Sequence, residues 1–143
     1  MTEAEQRLAV IREAETWLRT PYHHQGRIKG AGVDCATILL EVFSAVGIAE
    51  NAYPEYSPEW HMHRSEELYL GWMAKYTREI AAEDLDVGDI IVWKWARCYS
   101  HGSIYVGGGE LIHSYIKTGC VRAAMSEGIF EDRPHRFYSV WGK

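Results

Sequence analysis

Cys35 lies in the stretch "GAGVDCATILLEVF", just ahead of an apolar run, and His101 and His113 lie twelve positions apart around three consecutive glycines. A thiol becomes a useful nucleophile when its thiolate is stabilised, and the first turn of a helix offers unpaired N–H groups and the positive end of a dipole. It also needs a base, an imidazole within hydrogen-bond reach that is held by a third group. Taken alone, Cys35 better suits a buried small hydrophobe. Whether these residues could carry nucleophilic acyl transfer depends on the chain bringing the two histidines together.

The segment between them, "GSIYVGGGEL", has the pattern of a β-hairpin with Gly107, Gly108 and Gly109 as a three-residue loop. That loop length pairs Val106 with Glu110, Tyr105 with Leu111 and Ser103 with His113. Alternation then puts His101, Ser103 and Tyr105 on the face that carries Leu111, His113 and Tyr115. The histidines become diagonal neighbours with Cα atoms ~7–8 Å apart, whereas a two-residue loop would send them to opposite faces. One imidazole could take the thiol proton while the other fixes its tautomer, although each histidine separately also suits a satisfied strand position.

The elements that must position these residues are legible in outline. Thr2 and Glu5 have capping-box spacing, and Leu8, Ile11, Ala14 and Leu18 continue at helical intervals until Thr20-Pro21, giving a first helix over residues 3–19. Ile38, Leu39, Val42, Phe43 and Val46 mark a second helix from Cys35 to Gly47, apolar over most of its circumference and so central. Residues 50–64 carry two prolines and no period, which suits a surface excursion, and Ser65 then caps a short helix with Leu68, Trp72, Met73 and Tyr76. Downstream, "GDIIVWKWA", "GSIYV", "ELIHSYI", "CVRAA" and "RFYSVW" are β-branched and aromatic runs separated by turns. Helices first and an antiparallel sheet afterwards is the α+β order. Trp93 and Trp95 define an apolar strand face expected to pack against the helices.

The chain has 143 residues, 47% hydrophobic and 24% charged, which fits one folded domain over residues 1–143. With 15 basic and 20 acidic residues, net charge −5, it has no basic tract suited to nucleic acid. It begins without a basic-then-apolar leader, and no apolar stretch approaches the ~18 residues of a membrane span. Cytoplasmic synthesis is the expectation. Three cysteines cannot all pair within one chain; a Cys98–Cys120 bridge is compatible with the sequence. His61-x-His63 with His23-His24 matches no strong zinc spacing, so neither metal nor cofactor is expected. Cys98 falls on the face opposite His101 if its strand is regular.

The succession "TPYHHQGRIKGAGVDCATILLEVF", "GDIIVW" and "SHGSIYVGGGELIHSY" resembles the NlpC-type cysteine peptidases of bacterial cell-wall turnover, a papain-like family. The match runs from about Thr20 to Tyr115. It implies a papain-like α+β domain with N-terminal helices packed on an antiparallel sheet, Cys35 as nucleophile, His101 as general base and later acid, and His113 as the orienting member. Tyr22 corresponds to the family's upstream tyrosine, whose hydroxyl would join the Cys35 N–H at an oxyanion, a contribution on the order of 3 kcal/mol. Asp34 and Ser100 correspond to positions that hold the free amino end of a stem peptide, and Asp34 equally suits a helix cap.

The resemblance implies hydrolysis of a peptidoglycan stem-peptide amide between D-glutamate and the following diamino acid. The family's Ser-Gly after the cysteine is replaced here by Ala36-Thr37, and the Tyr22 to Cys35 stretch is one residue longer than usual. The small members of phage and prophage tail modules look most similar, which makes tail or assembly proteins expected partners. An acyltransferase using the same residues and a non-catalytic assembly component are the alternatives.

Overall fold

The computed structural model describes residues 1–48 and 73–142. The expected excursion at residues 50–64 and most of the helix expected after Ser65 lie outside these, while residues 73–76 are helical.

Helix α1, Glu3–Glu15, starts at the expected capping box: Glu5 N–H donates to Thr2 Oγ1 and Thr2 N–H to Glu5 Oε1. It is shorter than residues 3–19 because Thr16 to Arg19 tighten into turns, and Arg19 takes φ 75° as its N–H reaches across to Cys120 O. Strands β1 (Arg27–Ile28) and β2 (Gly32–Val33) form a small antiparallel pair. Helix α2 covers Thr37–Ala45 and stops at Gly47, φ 80°, a left-handed position that favours glycine.

The main sheet holds β3 (Arg78–Ile80), β4 (Ile90–Trp95), β5 (Cys98–Gly107), β6 (Glu110–Tyr115), β7 (Gly119–Ala124) and β8 (His135–Ser139). Its order is β3-β8-β4-β5-β6-β7, and these neighbours pair antiparallel, matching the expected α+β class.

One face of the sheet, through Ile90, Val92, Ile104 and Ile112, packs on Val10 and Ala14 of α1 and on Ile38, Leu39, Val42 and Phe43 of α2. The other face carries Ile91, Trp93 and Leu111. The expectation that Trp93 and Trp95 meet the helices is therefore corrected. They alternate with Val92, which already faces α1 and α2, and Phe130 from the turn Gly128–Phe130 covers them instead.

A buried ion pair fixes α1 against this core. Arg7 Nη1 donates to Asp89 Oδ1 and to Val87 O, each at 2.9 Å, and the guanidinium lies 4.1 Å from the Trp141 ring centroid. Asp89 Oδ2 also accepts from Asp86 N–H, so the Gly88-Asp89 pair of "GDIIVW" serves the turn and the helix contact. Both charges have partners, the condition under which burial of an ion pair is tolerated. Among the described residues no helix is long and apolar enough to cross a membrane.

Candidate active site

Cys35 sits two residues before α2, not within its first turn. Asp34 occupies the helix start: its Oδ1 accepts from Ala36 N–H (2.9 Å) and Thr37 N–H (2.8 Å), and its Oδ2 from Gln25 N–H (2.7 Å). Ala36 offers no capping side chain, so the free N–H groups that were expected to favour a thiolate are taken by a carboxylate. Thr37 completes the turn by accepting from Asp34 N–H and donating to Gly26 O.

The thiol is 7% exposed, and Sγ donates to Ser100 O at 3.5 Å. Burial, followed by the Asp34 charge, pushes it above the ordinary cysteine range, while hydrogen bonds from the Gly102 and Cys35 N–H groups act the other way. The sulfur is thus protonated at neutral pH and contacts backbone groups on both sides of His101.

His101 Nε2 and His113 Nδ1 lie 2.8 Å apart. The hairpin achieves this differently from the simple three-glycine loop. Tyr105 opposes Leu111 as expected, but Gly107, not Val106, opposes Glu110, so Val106 is an extra residue in β5 and only Gly108 and Gly109 form the loop. A two-residue loop plus a one-residue bulge has the same offset as a three-residue loop, and the histidines stay on one face. All three glycines have positive φ, between 63° and 96°, which few other residues adopt cheaply.

A second bulge, at Ser100, follows from the pairs Trp93 with His101 and Lys94 with Tyr99. It corrects the placement of Cys98. Without strict alternation, Cys98 opposes Trp95 and shares the face of His101. All three cysteines are free, so the compatible Cys98–Cys120 bridge is absent.

Aromatic rings enclose the histidine pair. The Trp95 centroid is 4.8 Å from that of His101, and Phe130 is 4.8 Å from His113, with Tyr115 about 6 Å from each at 5.9 and 6.0 Å. Burial pushes the His113 imidazolium down to about 4, so this ring is neutral at physiological pH. Neither Trp95 nor Phe130 was singled out for the site from sequence. Trp95 lies two positions from Trp93, directly opposite His101, and that register was the available signal.

Tyr22 forms a parallel bridge with Val33, which brings it alongside the approach to Asp34 and Cys35. Burial first, then the charges of Cys35 and Asp34, push its phenol far above the ordinary range, keeping it a donor. Ser100 directs its hydroxyl to Cys98 O at 3.3 Å, within its own bulge, and its carbonyl to the thiol. A further residue, Ser114, escaped the sequence reading: its hydroxyl donates to Val33 O at 2.8 Å and ties the strand of His113 to the strand leading into Asp34-Cys35. His61 and His63 lie outside the described residues, among which no group of three or more His, Cys, Asp or Glu could hold a metal ion.

Comparison with known proteins agrees with this architecture. Residues 19–138 match the NlpC/P60 family. A Mycobacterium tuberculosis protein described as a "Probable endopeptidase" is 32% identical over 108 residues, 76% of this chain and 23% of that protein, so the chain spans about a quarter of such relatives. The NlpC/p60 domain of the peptidoglycan hydrolase SagA has TM-score 0.65 at 18% identity, over 91% of this chain and 96% of that one. The peptidoglycan hydrolase RipB of Mycobacterium tuberculosis has TM-score 0.63 at 18% identity, over 98% and 68%. At such identities the structures speak for the fold, and with the sequence match across most of the chain they identify it as a member of the NlpC/P60 family.

Proposed function

We propose that the chain is a cysteine peptidase that hydrolyses a peptidoglycan stem-peptide amide, at the bond between D-glutamate and the next diamino acid. The observation that carries this reading is the 2.8 Å His101–His113 pair beside a buried thiol whose two backbone contacts, Ser100 O and Gly102 N–H, flank His101. Family membership and the "peptidoglycan hydrolase" description of SagA and RipB supply the substrate class.

A protonated resting thiol requires that deprotonation accompany attack. Neutral His113 accepts at Nδ1 from His101 Nε2–H, which leaves His101 Nδ1 as the base for the Cys35 proton. The sulfur attacks the amide carbonyl. The oxyanion is met by the Cys35 N–H and the Tyr22 hydroxyl. His101 returns its proton to the leaving amine as the C–N bond breaks, and water, deprotonated by His101, cleaves the thioester and restores the thiol. Asp34, with its Oδ2 edge toward Gln25 and His24, and Ser100 serve the substrate's free amino end as well as their own turns.

Incubation of the wild type and Cys35→Ala with defined muropeptides, with and without a competing amine acceptor, and mass spectrometry of the products tests this directly. The wild type should release the D-glutamyl carboxylate product, and Cys35→Ala none. Cleavage that persists in Cys35→Ala would overturn the mechanism, and products carrying the added amine would make the chain an acyltransferase.

A further inference from the structure

On the helix side of the sheet, two cations converge on one phenol that packs against the core cluster containing Cys35. The Arg136 guanidinium carbon is 4.6 Å from the Tyr99 ring centroid, and Lys94 Nζ is 5.8 Å from it. The register explains the convergence: Lys94 opposes Tyr99, and Arg136 opposes Val92, two positions along β4 from Lys94 and on the same face. That face is the one Cys35 occupies, since Cys35 and Val92 share a core cluster against which Tyr99 packs.

Tyr99 is the chain neighbour of Ser100, whose carbonyl accepts the hydrogen bond of the thiol. Gly102, Val92 and Arg136 form one row across three strands, so with neighbouring strands ~4.8 Å apart the Arg136 Cα is about 10 Å from Gly102, roughly three residues of extended peptide.

Neither Lys94 nor Arg136 makes an ion pair within 4.0 Å of a described residue, in a chain of net charge −5. Glu79 acts on Arg136 only at longer range, and Tyr138 hydrogen-bonds to it. Arg136 is exposed and Lys94 partly so. Stacking on a shared ring holds both heads without neutralising them, and a guanidinium fork matches a carboxylate in two parallel hydrogen bonds.

We propose that Lys94, Tyr99 and Arg136 form a subsite for a free carboxylate of the peptide bound at Cys35. This rests on the hydrolase reading for the identity of the peptide. Two carboxylates adjoin the scissile amide: that of a D-glutamate linked through its side chain, and that of the diamino acid.

The test begins with binding, which does not need turnover. Cys35→Ala is titrated by NMR with three D-glutamyl–diamino acid peptides: one with free carboxylates, one amidated at the glutamyl carboxylate, and one amidated at the diamino acid. One amidation should weaken binding about tenfold and so identify the group recognised. Lys94→Gln and Arg136→Gln, each added to Cys35→Ala, should weaken the free peptide about tenfold and leave the amidated one as it was, while Arg122→Gln changes neither. Equal binding of all three peptides, or equal losses for free and amidated forms in Arg136→Gln, would overturn the subsite. Wild-type cleavage indifferent to both amidations would retire the subsite and leave the hydrolase. Carboxylate-dependent binding without cleavage would do the reverse, and no binding of any peptide would overturn both.

Discussion

The two halves of the site are built by different physics. The half that carries Cys35 is a short stretch of chain saturated with polar contacts, in which Asp34, Thr37, Gln25 and Gly26 exchange hydrogen bonds around the start of α2. The half that carries the histidines has the 2.8 Å pair at its centre and is walled by Trp95, Phe130 and Tyr115. Local hydrogen bonds hold the backbone around Cys35, whereas ring packing and strand register hold His101 and His113. The burial that makes the thiol hard to ionise on one side keeps His113 neutral, and fit to accept, on the other.

If that division is right, the sheet half should fail through chemistry before stability. His113→Phe keeps the ring volume and removes the acceptor, so kcat should fall by about 10²–10⁴ with the fold intact by circular dichroism. Retained activity would show that packing alone orients His101.

The same ring gives the sheet half a pH signature. Its folded value of about 4 lies below the ordinary 6.5, so the unfolded chain binds the proton first. Stability is full above about 6.5 and falls by about 1.4 kcal/mol per pH unit down to about 4, on the order of 3 kcal/mol in all. Denaturant titrations across that window should show the slope, and His113→Phe should remove this contribution.

On the helix half, Asp34→Asn should cost about 1 kcal/mol as the Oδ2 acceptor opposite the Gln25 N–H becomes a donor. It should also speed alkylation of Cys35 by iodoacetamide and lower its pH midpoint, because the second cause of the raised thiol is gone. An unchanged midpoint would mean that burial alone controls the thiol.

The smallest effect should come at the junction of the halves. Ser114→Ala removes one of two donors to Val33 O and leaves His23 N–H in place, so stability should drop by only about 0.5–1.5 kcal/mol. Activity should fall disproportionately if that bond sets the spacing between Cys35 and the histidines.

Much of the fold was legible because its signals are local. The Thr2–Glu5 capping box, the apolar run after Cys35, the Gly47 stop and the strand runs each specify their element from neighbouring residues. The ends were less so: α1 stops at Glu15 because the chain beyond it turns to meet Cys120, a contact far away in sequence. The Trp93 face was misassigned for a related reason. Alternation specifies two faces but not which layer covers each, and Phe130 arrives from a turn 37 positions later.

By itself, the sequence determined the hairpin between the histidines and the family to which the chain belongs, and it singled out Cys35, His101 and His113 as the candidates for the proposed chemistry. Residue type and short-range spacing are sufficient for those. Only the tertiary structure decided that Asp34, and not the thiol, occupies the helix start, that bulges at Ser100 and Val106 set which side chains share a face, and that aromatic rings enclose the histidine pair. The physical reason is that a bulge and a shared face are properties of two strands at once, and burial, which controls both Cys35 and His113, is a property of everything packed around them.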